Sequence, residues 1–183
     1  MQVCPGSTVL SVVPPATLCL FEPLLVAAVP ALAAGRRLRP LFRSSRDGAT
    51  AAAFHRCCDR QGPTLTLIRD VANNVFGGYA AVEWGSPADF QWLNDPAAFL
   101  LTVVNPHADP PALFASTANG QSILCRSSAG PVFGGLWVTG AFDDECVSNV
   151  GRAYTNGTRH CNYTVLTGAF SFTPAEVEVW GLV

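Results

Sequence analysis

The residue types best suited to chemistry fall in one short stretch, His55-Arg56-Cys57-Cys58-Asp59. A cysteine becomes a nucleophile, or a sink for peroxide, when a nearby cation, an imidazole or a helix N-terminus favours its thiolate. His55 and Cys58 are three positions apart, so their side chains can touch on a helix. Arg56 and Arg60 lie close by. The element that must position them begins at Thr50, a good helix cap, after which Ala51, Phe54 and Cys58 share one face. The spacing predicts a helix from Ala51 to about Arg60, stopped by Gly62-Pro63. Both cysteines then sit in its C-terminal half, where the helix dipole disfavours a thiolate, and Cys58 reads as core packing. His55 falls off the apolar face and is expected on the helix surface, bonded to a neighbouring loop. No third group that would orient the imidazole is evident.

Other chemistries find less support. The seven cysteines are odd in number and contain no CxxC pair, so neither a zinc site nor a redox dithiol is signalled. His107, Asp109 and Asp143-Asp144 stand at no recognised ligand spacing, and no metal or other cofactor is expected. Phosphate-loop, dinucleotide and GxSxG motifs are missing. A net charge of -2 argues against a nucleic-acid binder. All eleven basic residues are arginine, and Arg36, Arg37, Arg39, Arg43, Arg46, Arg56, Arg60 and Arg69 crowd one stretch. A basic stretch of this kind meets an acidic partner or a membrane surface, or simply solvates an apolar protein.

Hydrophobic residues at 49% against 13% charged allow a sizeable core in a chain of 183 residues. Residues 1–37 are expected to form an extension with one apolar helix around Phe21 to Leu32, bent at Pro30. That apolar run is too short and too broken to span a bilayer, so no stable membrane insertion is expected. Ala31-Leu32-Ala33 resembles a leader cleavage site, and Asn156-Gly-Thr and Asn162-Tyr-Thr are glycosylation patterns. Because no positive charge precedes the run, a cytoplasmic location is preferred over secretion.

From Leu38 the signals become strand-like. Leu41 and Phe42 suggest a short strand. Thr64 to Ile68 and Val75 to Val82 form a hairpin about Asn73-Asn74. Gly77 and Gly78 inside the second strand require a bulge or a close backbone approach. Glu83 to Asp95 reads as a loop. Strands are expected at Phe99 to Val104, Leu113 to Ser116, Ser122 to Cys125, Phe133 to Val138, Tyr163 to Leu166 and Glu176 to Trp180. The fold class is α+β: an antiparallel, sandwich-like sheet core with flanking short helices.

Several segments together resemble the TLDc family, the domain of the oxidation-resistance proteins. They are Phe54-His55 with Cys57-Cys58-Asp59, Gly62 to Asp70, Val75-Phe-Gly-Gly-Tyr, Trp84, Phe99-Leu-Leu, Gly130 to Leu136 and Glu176-Val-Glu-Val-Trp, in that family's order. The resemblance covers about Leu38 to Val183, so residues 38–183 are read as the TLDc-like domain. It implies a non-catalytic interaction domain tied to oxidative-stress resistance, with a protein partner, the V-type proton ATPase. It further implies that glycines of the two motifs (Gly77, Gly78, Gly134 and Gly135) and Glu178 of the terminal strand matter for that binding. Glu178 would face away from the buried Val177 and Val179, exposed, or paired with an arginine such as Arg43. The chain departs from the family in having no lysine, in Leu136-Trp137-Val138 after the second glycine pair, and in its acidic Asp143-Asp144-Glu145 loop. Two other readings stand beside this one: a thiol-based antioxidant enzyme using Cys57 or Cys58, and a secreted β-rich domain binding carbohydrate through Trp84 and Trp92.

Overall fold

The computed structural model describes residues 3–142 and 146–183. Two six-stranded antiparallel sheets pack face to face, and a helical N-terminal layer covers the outside of the first. Sheet 1 contains β1 (Leu38–Arg43), β2 (Thr64–Asp70), β3 (Val75–Ala80), β5 (Phe99–Val104), β6 (Ala112–Ala115) and β12 (Pro174–Leu182), in the order β1-β12-β2-β3-β5-β6. Sheet 2 contains β4 (Gln91–Leu93), β7 (Ile123–Cys125), β8 (Val132–Phe133), β9 (Leu136–Trp137), β10 (Cys146–Ser148) and β11 (Ser171–Phe172), ordered β11-β10-β9-β8-β7-β4. The helices are α1 (Pro15–Ala28), α2 (Pro30–Ala33), α3 (Ser44–Asp47) and α4 (Ala51–Cys58).

Period-two alternation sorts the side chains into two cores. Ile68, Phe76, Leu100, Val177 and Val179 of sheet 1 meet Ile123, Phe133 and Leu136 of sheet 2 in the inner core. Leu65, Leu67, Tyr79, Leu101 and Trp180 point the other way and meet Phe21, Leu25 and Leu32 of α1 and α2. Sheet 1 is therefore apolar on both faces, which explains the near-continuous hydrophobic runs of β2 and β5.

The helix and strand expectations hold with specific corrections. The N-terminal helix begins earlier, at Pro15, where proline is pre-organised for the first turn. It stops at Ala28, because Val29 precedes Pro30 and is held extended (φ -114, ψ 95). α4 is capped as expected, Thr50 accepting from the Ala53 N–H, but ends at Cys58. Asp59 is already extended there and Arg60 takes φ 58. The run expected from Phe133 to Val138 is folded by a two-residue turn, Gly134-Gly135, into β8 and β9. The loop expected from Glu83 to Asp95 contains β4, and Tyr163 to Leu166 is a series of turns instead of a strand. In that segment Gly168 N–H bonds Thr164 O and Thr164 N–H bonds Cys161 O, local pairings that remove it from any ladder. Asp143-Asp144-Glu145 lies outside the described residues.

Candidate functional site

The cross-strand registers order the predicted residues. Across the outer face of sheet 1 runs a single row: Arg43, Glu178, Leu67, Gly77, Leu101, Leu113. Glu178 and Gly77 are thus separated by one strand on the same face, under the N-terminal layer. Glu178 does face away from Val177 and Val179, yet it is only 1% exposed, a correction to the exposed position expected from alternation. The reason is that a second layer of protein covers that face.

The covering segment closes directly on the carboxylate. Glu178 Oε2 accepts from Ser7 Oγ at 2.6 Å and from Trp180 Nε1 at 3.2 Å. Oε1 accepts from Thr8 N–H at 2.9 Å and Thr8 Oγ1 at 2.8 Å. Arg43 Nε lies 3.0 Å from Oε1. It is off the hydrogen-bond line, so this contact is Coulombic, while another guanidinium nitrogen of Arg43 donates to Gly6 O at 2.8 Å. A buried carboxylate is tolerated when its lone pairs are filled and a cation stands beside it, and both conditions are met. Glu176, on the same strand, is held likewise. Burial pushes its carboxyl up, but hydrogen bonds from Ser44 Oγ (2.5 Å) and Ser45 N–H (3.0 Å) outweigh this and hold it below its ordinary range.

The two glycine pairs meet inside the sandwich. A Cβ on Gly78 would stand 2.7 Å from the Phe133 ring, and one on Gly135 would stand 2.8 Å from Asn149 O and 3.2 Å from Leu100 Cδ1. Leu100 is itself the cross-strand partner of Gly78. Gly78, Leu100, Phe133 and Gly135 therefore form one tight contact between the sheets. On Gly77 and Gly134 a Cβ would drive into the Thr66 and Gln121 carbonyls. These glycines permit close backbone approach, as their place in strands and turns requires.

The His55–Cys58 cluster is arranged for packing. His55 is buried, a correction to its expected place on the helix surface. Its Nδ1 lies 2.7 Å from Asp59 Oδ1, and its Nε2 faces Arg126 O (2.9 Å) and Ala129 O (3.0 Å). The orienting carboxylate not evident in sequence is thus Asp59, one helical turn on. Both ring nitrogens face oxygen acceptors, so neither is turned toward a thiol. Cys58 is fully enclosed, and burial drives its thiol far up, the opposite of an activated nucleophile. Cys57 is half-buried against the inner core. Trp84 is buried, its Nε1 donating to Thr64 Oγ1 at 2.8 Å, so it offers no surface to a ligand. The amide nitrogen of Asn156 donates to His160 O (2.9 Å) and Asn162 Oδ1 (2.7 Å), bonds that a sugar at that atom would replace.

The structure adds a feature that sequence reading missed. The outer face of sheet 2 carries the row Trp92, Leu124, Val132, Trp137, Val147, Ser171. Beside it a groove of about 250 Å³ is lined by Trp92, Trp137, Val147, Asn149, Arg152 and Phe170, with the Gly134-Gly135 turn in its wall. Phe90 and Phe170 stand half-exposed at its margins, Phe90 edge-on to Trp137 and beneath the Arg126 guanidinium at 4.1 Å. Among the described residues no three His, Cys, Asp or Glu side chains gather as a metal site, and no helix is long and apolar enough to cross a membrane.

Against known proteins, the family model for the TLDc domain matches residues 24–183. MTOR-associated protein MEAK7 of Danio rerio is 31% identical over 83 residues, 44% of this chain. The matched stretch spans 18% of that relative's own length.

Proposed function

This chain belongs to the TLDc domain family, and on that premise we propose that it is a non-catalytic module that binds a protein partner through the groove on sheet 2. The observation that carries the reading is the uncovered aromatic row beside the Gly134-Gly135 turn, with Arg152 at its side. Partly buried aromatics around an arginine are the composition of interface hot spots. Gly134 and Gly135 shape the wall, while Gly77 and Glu178 act at one remove by holding the N-terminal layer on sheet 1.

The partner proposed from the family resemblance is the cytosolic part of the V-type proton ATPase. Protection against oxidative damage then follows from binding and needs no chemistry at Cys57 or Cys58. The enclosed Cys58 and the occupied ring of His55 support that choice over a thiol enzyme. A cytoplasmic site of action fits the free thiols of Cys4, Cys19, Cys57, Cys58, Cys125 and Cys161. The name of the MEAK7 relative offers a second partner, an mTOR assembly.

The test is capture from cytosolic and vacuolar-membrane extracts, with probes for pump subunits and mTOR. The variants are Arg152→Glu with Phe170→Ser, both at surface positions. Loss of pump capture by a variant that melts like wild type supports the reading. Undiminished capture by the folded double variant would remove the groove from it, and capture of mTOR alone would replace the pump.

A further inference from the structure

Two histidines outside the core and the groove lie face to face. The rings of His107 and His160 are stacked, with centroids 3.6 Å apart and planes 8° from parallel. They come from segments far apart in sequence, the loop 105–111 between β5 and β6 and the stretch 156–170 ahead of β11. An asparagine builds each loop. Asn105 Oδ1 accepts from the His107 and Asp109 N–H groups, both at 3.1 Å, and its amide nitrogen donates to Asp109 O at 2.9 Å. Asn156 Oδ1 accepts from the N–H and Oγ1 of Thr158, and Thr158 Oγ1 accepts from the His160 N–H at 3.2 Å. Each ring also ties across to the opposite segment. His107 Nε2 donates to Thr164 O at 2.9 Å, and His160 Nε2 donates to Asp109 Oδ2 at 2.6 Å.

What the stack holds in place borders the groove. Val165 and Leu166 are anchored in the inner core, so the part of the segment that depends on the histidines is residues 156–164. Asn162 O accepts the Val150 N–H at 3.1 Å, at the turn Val150–Arg152 that brings Arg152 to the groove beside Asn149. Tyr163 meets Phe170 edge-on at 5.4 Å. Charge around the rings is lopsided. Asp109 is the one carboxylate on either loop, while Arg159 and Cys161 flank His160 in sequence and Arg152 stands on the neighbouring turn. The turn between β2 and β3 reaches the segment at Thr167 O through Asn74, and its Asp70 carboxylate is taken up by Ala72 and Asn74. The start of α1 borders the loop at Asp109 with Pro14, Thr17 and Leu20, none of them charged.

Imidazole is the side chain whose charge changes between about pH 5 and 8. A proton on each ring sets two cations 3.6 Å apart, and Asp109 offsets only one of them. Parted rings carry both charges in water without that repulsion. The open arrangement therefore takes up more protons than the stack, so closure is favoured at high pH and lost as pH falls through the imidazole range. We propose that the His107–His160 stack is a proton-operated latch that regulates the groove. Closed near neutrality, it holds residues 156–164 and, through Asn162, the turn that carries Arg152. With a proton on each ring it opens and releases that wall. The latch stands on its own geometry, and only its effect on partner binding rests on the groove reading given above.

The experiment is hydrogen exchange of the full chain without a partner, at about pH 7.5 and about pH 5.5, corrected for the intrinsic pH dependence of amide exchange. In wild type the Val150 and Thr164 amides, bonded to Asn162 O and Cys161 O, should open at least about tenfold more at the lower pH. Each proton taken up on opening shifts the equilibrium by up to about tenfold per pH unit. His107→Phe keeps a flat ring on the stack and His107→Gln keeps a donor for Thr164 O, and neither takes up a proton there. In both, the pH dependence should fall below about twofold, whereas a merely structural pair would shift exchange equally at both pH values. Wild-type exchange that ignores pH, or variants that keep its full dependence, would overturn the latch. Opening at Thr164 while the Val150 N–H stays protected would overturn its link to the groove. Pump capture at the two pH values separates the two readings. Capture should fall at low pH for wild type and not for His107→Phe; capture that Arg152→Glu with Phe170→Ser leaves intact removes the groove while the exchange result still stands for the latch.

Discussion

On sheet 1 the outer row of Arg43, Glu178, Leu67, Gly77, Leu101 and Leu113 lies under helices and a clamped N-terminal loop. On sheet 2 the matching row of Trp92, Leu124, Val132, Trp137, Val147 and Ser171 lies beside an open groove. Both rows are produced by the same alternation of strand side chains. What differs is the size and polarity of what sits above them. Sheet 1 presents leucines and a glycine, flat ground on which a helix can rest, with one carboxylate to anchor it. Sheet 2 presents two indoles that shelter Leu124 and Val132 themselves. The first face is thus closed by its own chain, and the second is left open, which is why the partner is proposed to bind there.

If that contrast is right, substitutions on the two faces should separate cleanly. The largest effect belongs to Glu178→Ala, which leaves Ser7, Thr8 and Trp180 without their shared acceptor and Arg43 without its counter-charge. Unfolding in denaturant should show a loss of about 3 kcal/mol, together with earlier proteolysis of the N-terminal layer. A loss near zero would mean that the clamp does not hold the layer. Next comes Gly78→Ala, which pushes a methyl into the Phe133 ring between the sheets; overpacking should cost about 2 kcal/mol. Ser44→Ala removes one of the bonds that hold the Glu176 carboxyl below its ordinary value of 4.5. A lowered folded value gives stability that is fully present above 4.5 and lost as pH falls from there through the lowered folded value. The variant should be about 1.5 kcal/mol less stable near neutrality, and that gap should narrow, without closing, as pH falls below 4.5, because Ser44 Oγ also accepts the Val177 N–H at every pH; thermal melts against pH would show this. The smallest stability effect is expected from Arg152→Glu and Phe170→Ser on sheet 2, within about 0.5 kcal/mol, while partner capture falls. Destabilisation there comparable to Glu178→Ala would erase the distinction between the faces.

Much of this was legible in the residues. Thr50 marked a cap, Asn73 a left-handed turn (φ 65), and the alternations in β2 and β12 placed two strands correctly. The glycine pairs announced close approach, though only the fold shows Gly78 and Gly135 meeting through Leu100 and Phe133. Burial of Glu178 was not legible, because alternation reports which face a residue takes and is silent on whether another layer covers it. The same limit hid the burial of His55, whose acceptors come from Arg126 and Ala129, distant in sequence. The groove was missed for a related reason. Its walls are drawn from β4, β9, β10 and the segment at Phe170, none of which carries a motif alone. Short strands of two or three residues give too little periodicity to read.

The place of β12 has a consequence for how the chain reaches this state. The last strand of sheet 1 in sequence lies between β1 and β2, its Leu182 opposite Leu38. Until it emerges from the ribosome, β1 has no ladder to join and β2 shows an open edge rich in leucine. Synthesis proceeds at about 5–20 residues per second, so this edge stays exposed for several seconds in every molecule made. Pairings so distant in sequence also form slowly. Truncation before Pro174 should therefore yield aggregates in place of a smaller soluble domain, and newly made chains should be strong clients of ribosome-associated chaperones.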